Sequence, residues 1–78
     1  MPFYVALSTW NPGTRQNPVY VILQTRKRVK PASLAYWAPN MFDFGGPFTT
    51  RKQAIQVAKI EAHLTGARFT RSVIRVDF

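Results

Sequence analysis

The chain has 78 residues, 11 Lys and Arg, 3 Asp and Glu and no Cys, which gives a net charge of +8. That length fits one domain, and the missing thiols exclude disulfide staples, zinc–thiolate sites and cysteine nucleophiles. Hydrophobic residues at 46% and aromatics at 14% exclude a disordered basic tail, and the charge of this folded module suits a polyanionic partner.

Phe3 to Ser8 reads as a first strand, with Phe3, Val5 and Leu7 on one side and Tyr4, Ala6 and Ser8 on the other. Asn11-Pro12-Gly13 marks a turn, Asn17-Pro18 stiffens the return, and Arg15 lies near the tip of the polar loop between them. Val19 to Arg26 is the clearest strand, rich in β-branched residues. Its Val19, Val21 and Leu23 match the inward set of the first strand, so Tyr20, Gln24 and Arg26 turn outward together with Ile22. The basic run Arg26-Lys27-Arg28-Val29-Lys30 follows as a strand end and loop, and Pro31 closes it.

Ser33 to Ala38 is short, and Tyr36 and Trp37 favour a third strand there. Met41 to Pro47 reads as an apolar loop folded over the core edge. Thr50 and Gln53 have capping-box spacing and open the one convincing helix. It runs to about Thr65, where Gly66 suits the left-handed position after a helix. Ala54, Ile55, Val57, Ala58, Ile60, Ala62 and Leu64 cover a broad apolar arc, which predicts a helix lying deep against a sheet. Phe69 to Phe78 is the last strand. The expected fold class is α+β: one two-layer domain over residues 1–78, an antiparallel sheet of three to four strands packed on one helix in the order β-β-β-α-β. The other sheet face is expected to stay open.

That open face is the first candidate for function. Tyr4, Tyr20, Arg26, Arg71 and Arg75 would interleave rings that stack on bases with guanidinium groups that bind phosphate. The second is the run Arg26, Lys27, Arg28 and Lys30, which can track a phosphate backbone. The third is the helix stripe of Lys52, Gln56, Lys59 and His63, a basic face that can lie along a nucleic-acid groove, although such a stripe is more often simply the solvent side of a packed helix. Last is an apolar patch of Met41, Phe42 and Phe44 with Trp10, suited to a protein partner. No nucleophile stands beside a base, no carboxylates pair, and the lone His63 suits the helix dipole, so neither catalysis nor a metal or other cofactor is expected. The longest clean apolar run, Val19 to Leu23, is far too short for a membrane span, and Met1-Pro2-Phe3-Tyr4 lacks the pattern of a secretory leader. A cytoplasmic location with no membrane partner is the expectation.

Phe48-Thr49-Thr50-Arg51-Lys52-Gln53-Ala54, with Ala58 one turn on, resembles the helix start of small sheet-plus-helix modules such as the arm-type DNA-binding domains of phage integrases. The resemblance covers residues 48–58 and is carried mostly by general helix-start chemistry. It implies a sheet that enters the major groove, with Arg26, Lys27, Arg28 and Lys30 as DNA readers. The chain departs from that pattern in its fourth strand after Gly66 and in the prolines flanking its middle strand.

Two functions of different class follow. One is a nucleic-acid-binding module without catalysis, with DNA and RNA both open. The other is a small phage- or plasmid-encoded accessory protein, an inhibitor or regulator seated on an acidic protein surface or a nucleoprotein complex, with its charge steering association. A single basic face favours the first; dispersed charge around exposed aromatics favours the second. A homodimer through the last strand is a further reading, because no Lys or Pro guards its edge.

Overall fold

The computed structural model describes residues 1–8, 18–38 and 41–76. Trp10, Arg15, the 11–13 turn and Asp77 lie outside the described residues. In chain order the elements are β1 (Phe3–Ser8), β2 (Val19–Thr25), a short 3-10 helix (Pro31–Tyr36), β3 (Met41–Phe48), α1 (Arg51–Thr65) and β4 (Arg68–Val76). Four strands form one sheet in the order β3-β1-β2-β4, packed against α1. This is the expected α+β arrangement with one change. β1 runs antiparallel to β2 and β3, but β4 lies parallel to β2, because α1 carries the chain back across the sheet before β4 begins. The sheet is therefore mixed.

The register of β2 corrects the sequence reading. Tyr4 stands opposite Leu23, Val5 opposite Ile22, Ala6 opposite Val21 and Leu7 opposite Tyr20. Opposed residues share a face. Tyr20 and Ile22 therefore join Val5 beneath α1, while Val19, Val21 and Leu23 join Tyr4 and Ala6 on the other side. The cause is visible in β2 itself, where Val19 to Leu23 is apolar at every position, so alternation gives no sign of which set faces the helix. A central strand apolar on both sides needs both sides covered. Here α1 covers one, and the other carries a second cluster in which Leu34 of the 3-10 helix and Val29 of the basic loop pack on Tyr4, Ala6, Val21 and Leu23. The expected open face does not exist in the centre of the sheet.

The third strand is β3, not Ser33–Ala38. Pro31 starts the 3-10 helix, and Leu34 is its one buried residue. Residues three apart eclipse in such a helix, so Leu34 turns in with Pro31, and Tyr36 is thrown out. β3 forms despite Gly45, Gly46 and Pro47 because it is an edge strand with register shifts on either side of the Val5–Gly45 pair. Asp43 and Gly46 take positive φ, 56° and 125°, within those two shifts. A Cβ on Gly46 would lie 2.9 Å from the Tyr4 ring and 3.0 Å from the Phe3 carbonyl oxygen, so only glycine lets β3 pass this close to β1.

The helix termini follow the sequence reading. Gln53 N–H donates to Thr50 Oγ1 at 3.2 Å, and Thr50 N–H donates to Gln53 Oε1 at 3.4 Å. Gly66 closes the helix at φ 72°. The buried arc is narrower than expected: Ala54, Ala58 and Ala62 form the seam, with Ile55 and Val57 half-buried on its flanks. Ile60 and Leu64 are exposed, since they project from the opposite pole of the helix.

Candidate nucleic-acid interface

The basic run is a fixed loop. Thr25, at the end of β2, is buried; its N–H donates to the Pro2 carbonyl at 3.2 Å and its Oγ1 donates to the Lys27 carbonyl at 2.6 Å. Two residues further on, the hydroxyl of the fully buried Tyr4 donates to the Val29 carbonyl at 2.9 Å and accepts from the Val29 N–H at 2.8 Å. Both backbone groups of Val29 are thus held by one side chain from β1, and its own side chain packs into the cluster below. Arg26, Lys27, Arg28 and Lys30 are all exposed around this anchor. Arg26 and Arg28 also line a shallow cavity of about 240 Å³ with Met1, Pro2, Phe48 and Thr49.

A second group of cations meets on the other side of the sheet. β4 carries an irregularity where Thr70, Arg71 and Ser72 stand against Val21 alone, between the Tyr20–Phe69 and Ile22–Val73 pairs. A bulge of this kind frees backbone groups from the ladder and re-aims side chains. Here the freed Arg71 carbonyl accepts from Arg51 Nη2 at 3.2 Å, and Ser72 N–H donates to Thr70 Oγ1 at 3.3 Å. Arg71 then lines an open groove of about 610 Å³ with Arg51, Lys52, Ile55, Gln56 and Lys59 of α1. The opposite flank of α1 is acidic. Glu61 and Asp43 line a cavity of about 420 Å³ between the helix and β3. The helix therefore separates a positive flank from a negative one.

The candidate residues from the sequence fall into four outcomes. Arg26, Lys27, Arg28 and Lys30 come together as one exposed loop, and Lys52, Lys59 and Arg71 come together as one groove. Arg75 is exposed at the end of β4 and lines a small cavity beside Arg26 and Gln24. Tyr4 and Tyr20 are corrected: both are buried and they lie on opposite faces, so they form no stacking platform. Of the apolar patch, Phe42 is exposed, whereas Met41 and Phe44 pack against the Tyr4 cluster, and Trp10 is outside the described residues. Sequence reasoning left out Arg51 as a groove residue, although its place at the first turn, three residues before Ala54, sets it beside the buried seam.

β3 and β4 are the sheet edges. Both are broken by register shifts, and β4 presents exposed Arg68, Arg71 and Arg75, features that oppose strand-to-strand pairing with a second copy. Among the described residues, no three His, Asp or Glu side chains gather as a metal site, and no helix is long and apolar enough to cross a membrane. No family model, curated protein or solved structure matches the chain.

Proposed function

We propose that this protein is a non-catalytic nucleic-acid-binding module in which the Arg26–Lys30 loop tracks phosphates. The observation that supports this reading most is the anchoring of the loop by Tyr4 and Thr25. A run of charge that serves only solubility needs no fixed backbone. A run that must meet a regularly spaced polyanion gains from one, because the entropy of ordering it is spent in folding rather than in binding. The groove of Arg51, Lys52, Lys59 and Arg71 supplies a second cationic surface for a strand that passes around the molecule. The accessory-protein alternative loses part of its apolar patch, since Met41 and Phe44 are tied into the core, but it keeps the dispersed charge it calls for, because the loop and the groove lie on opposite sides of the sheet.

Fluorescence anisotropy of labelled duplex DNA and single-stranded RNA, titrated with the protein at low and physiological salt, tests the proposal. Affinity should fall steeply with salt, by a log–log slope of about −0.7 to −0.9 for each phosphate neutralised. The Lys27→Ala/Arg28→Ala variant should bind more weakly and with a shallower slope. Absence of binding at low salt to either nucleic acid would sink the proposal and direct attention to acidic protein partners.

A further inference from the structure

Residues from all four strands line up at one end of the sheet. Phe48 of β3 stands opposite Phe3 of β1, Phe3 opposite Gln24 of β2, and Gln24 opposite Arg75 of β4. The helix α1 begins at this end, because Arg51 follows Phe48 by three residues. The basic loop begins there too, because Arg26 follows Gln24 by two. The loop and the groove therefore converge on one end of the molecule, although they lie on opposite sides of the sheet. The loop is on the side away from α1, where Val29 packs on the Tyr4 cluster, and the groove is on the side of α1.

Arg26 and Arg75 carry positive charge over this end. Arg26 shares one cavity with Arg28, Phe48 and Thr49, and another of about 90 Å³ with Gln24 and Arg75. Val73 packs beneath α1, so Arg75, two residues further along β4, stands on that same side of the strand. Arg71 lies four residues back, about 13 Å along β4, and its carbonyl accepts from Arg51 Nη2. Cations thus follow one another from the loop, across the strand ends, into the groove. Asp43 and Glu61, the two acids among the described residues, are exposed and stand off this path. They line the cavity between α1 and β3, with Glu61 about 15 Å along the helix from Arg51. The third acid of the chain, Asp77, lies outside the described residues.

We propose that the loop and the groove are the two ends of one phosphate track that turns over the strand ends, and that its occupant is a single-stranded nucleic acid, an inference that rests on the nucleic-acid reading above and narrows it. Shape selects the occupant. The track changes sides within a molecule whose longest dimension is 33 Å. Duplex DNA is stiff over roughly 500 Å, so it lies along one side and leaves the cations of the other without phosphates. A folded acidic protein is limited in the same way, because it brings one patch of surface to one side. A single strand bends between nucleotides and carries a charge at each of them, so it follows the track from end to end. An unstructured acidic peptide is the remaining rival, and the experiment sets it against the strand.

The experiment uses the full chain and three probes at low salt: an oligothymidine strand of about 16 nucleotides, a duplex of the same length, and polyglutamate matched to the strand in charge. The wild type should bind the strand roughly tenfold or more tightly than the duplex, because the strand joins two surfaces and the duplex meets one. Lys27→Ala/Arg28→Ala and Lys52→Ala/Lys59→Ala should both weaken the strand, the loop pair more, whereas the duplex should respond to one pair only. Arg75→Ala, at the turn of the track, should weaken the strand more than the duplex. All three variants should keep the wild-type melting temperature, since they change exposed side chains. Equal affinity for strand and duplex, or a strand that responds to one pair only, would overturn the track while leaving the nucleic-acid reading standing. Polyglutamate bound as tightly as the strand would overturn the choice of occupant. Failure to bind either nucleic acid would overturn both the track and the reading beneath it.

Discussion

The two cationic surfaces of this protein are built in different ways. The Arg26–Lys30 loop is fixed from beneath by its backbone: Tyr4 and Thr25, both buried, hold the carbonyls of Val29 and Lys27. The α1–β4 groove is fixed by position alone. Its cations are long exposed side chains on a helix and a bulged edge strand, tied by one exposed hydrogen bond from Arg51 to the Arg71 carbonyl. Core mutations should therefore be felt in the loop and not in the groove. Surface mutations should remove charge from either without touching the fold.

The largest effect is expected at Gly46. Alanine there meets the Tyr4 ring at 2.9 Å and a backbone oxygen at 3.0 Å, at a φ of 125° that side chains avoid. Gly46→Ala should cost about 2 kcal/mol or more in chemical denaturation, and it should loosen the loop through Tyr4. Gly45→Ala, with nothing within 4 Å of its added Cβ, is the control and should cost less than about 1 kcal/mol. Comparable losses at both glycines would refute the account of why β3 passes so close to β1.

Tyr4→Phe should come next. It keeps the ring and removes the hydroxyl that satisfies both backbone groups of Val29. The expected loss is about 1–3 kcal/mol, because two backbone groups of a partly buried residue lose their partner. Hydrogen exchange should speed up at Val29 more than at the amides of α1. Uniform acceleration across the chain would mean that the hydroxyl acts on global stability and not on the loop.

Charge removal should give the smallest effects on stability. Lys27→Ala/Arg28→Ala and Lys52→Ala/Lys59→Ala should each shift the unfolding free energy by no more than about 0.5 kcal/mol. Their effects on binding should differ. The loop pair should lower the salt slope by roughly one for each phosphate no longer neutralised. The groove pair should lower it less, because the proposed phosphate contacts lie on the loop. A larger effect from the groove pair would reverse the ranking of the two surfaces.

Much of the fold is legible in the sequence, and the failures share a cause. The helix can be read to within a residue because its limits are set by local chemistry: the reciprocal Thr50–Gln53 cap and the left-handed Gly66. β1 and β2 can be read as strands for the same reason. Their facing cannot, because Val19 to Leu23 is apolar at every position and the register depends on pairing with β1. The Tyr4/Tyr20 platform fails with it. β3 is hidden by Gly45, Gly46 and Pro47, which look like loop residues and are accommodated by an irregular edge strand. The parallel placement of β4 leaves no local mark. The basic loop, by contrast, is plain from composition, although nothing in the sequence shows that Tyr4, 25 residues before Val29, would pin it. Tyr36 carries strand propensity, and the signal that places it outside is the threefold spacing of Pro31 and Leu34.

The central claim is that the pinned loop meets the phosphates. Backbone amide chemical shifts, followed through titration with a short oligothymidine strand, test it most directly. The account predicts that the amides of Lys27, Arg28 and Lys30 move first, and that the groove residues Lys52, Lys59 and Arg71 follow at higher ligand concentration. Shifts confined to the groove, or a spectrum that does not change, would contradict it.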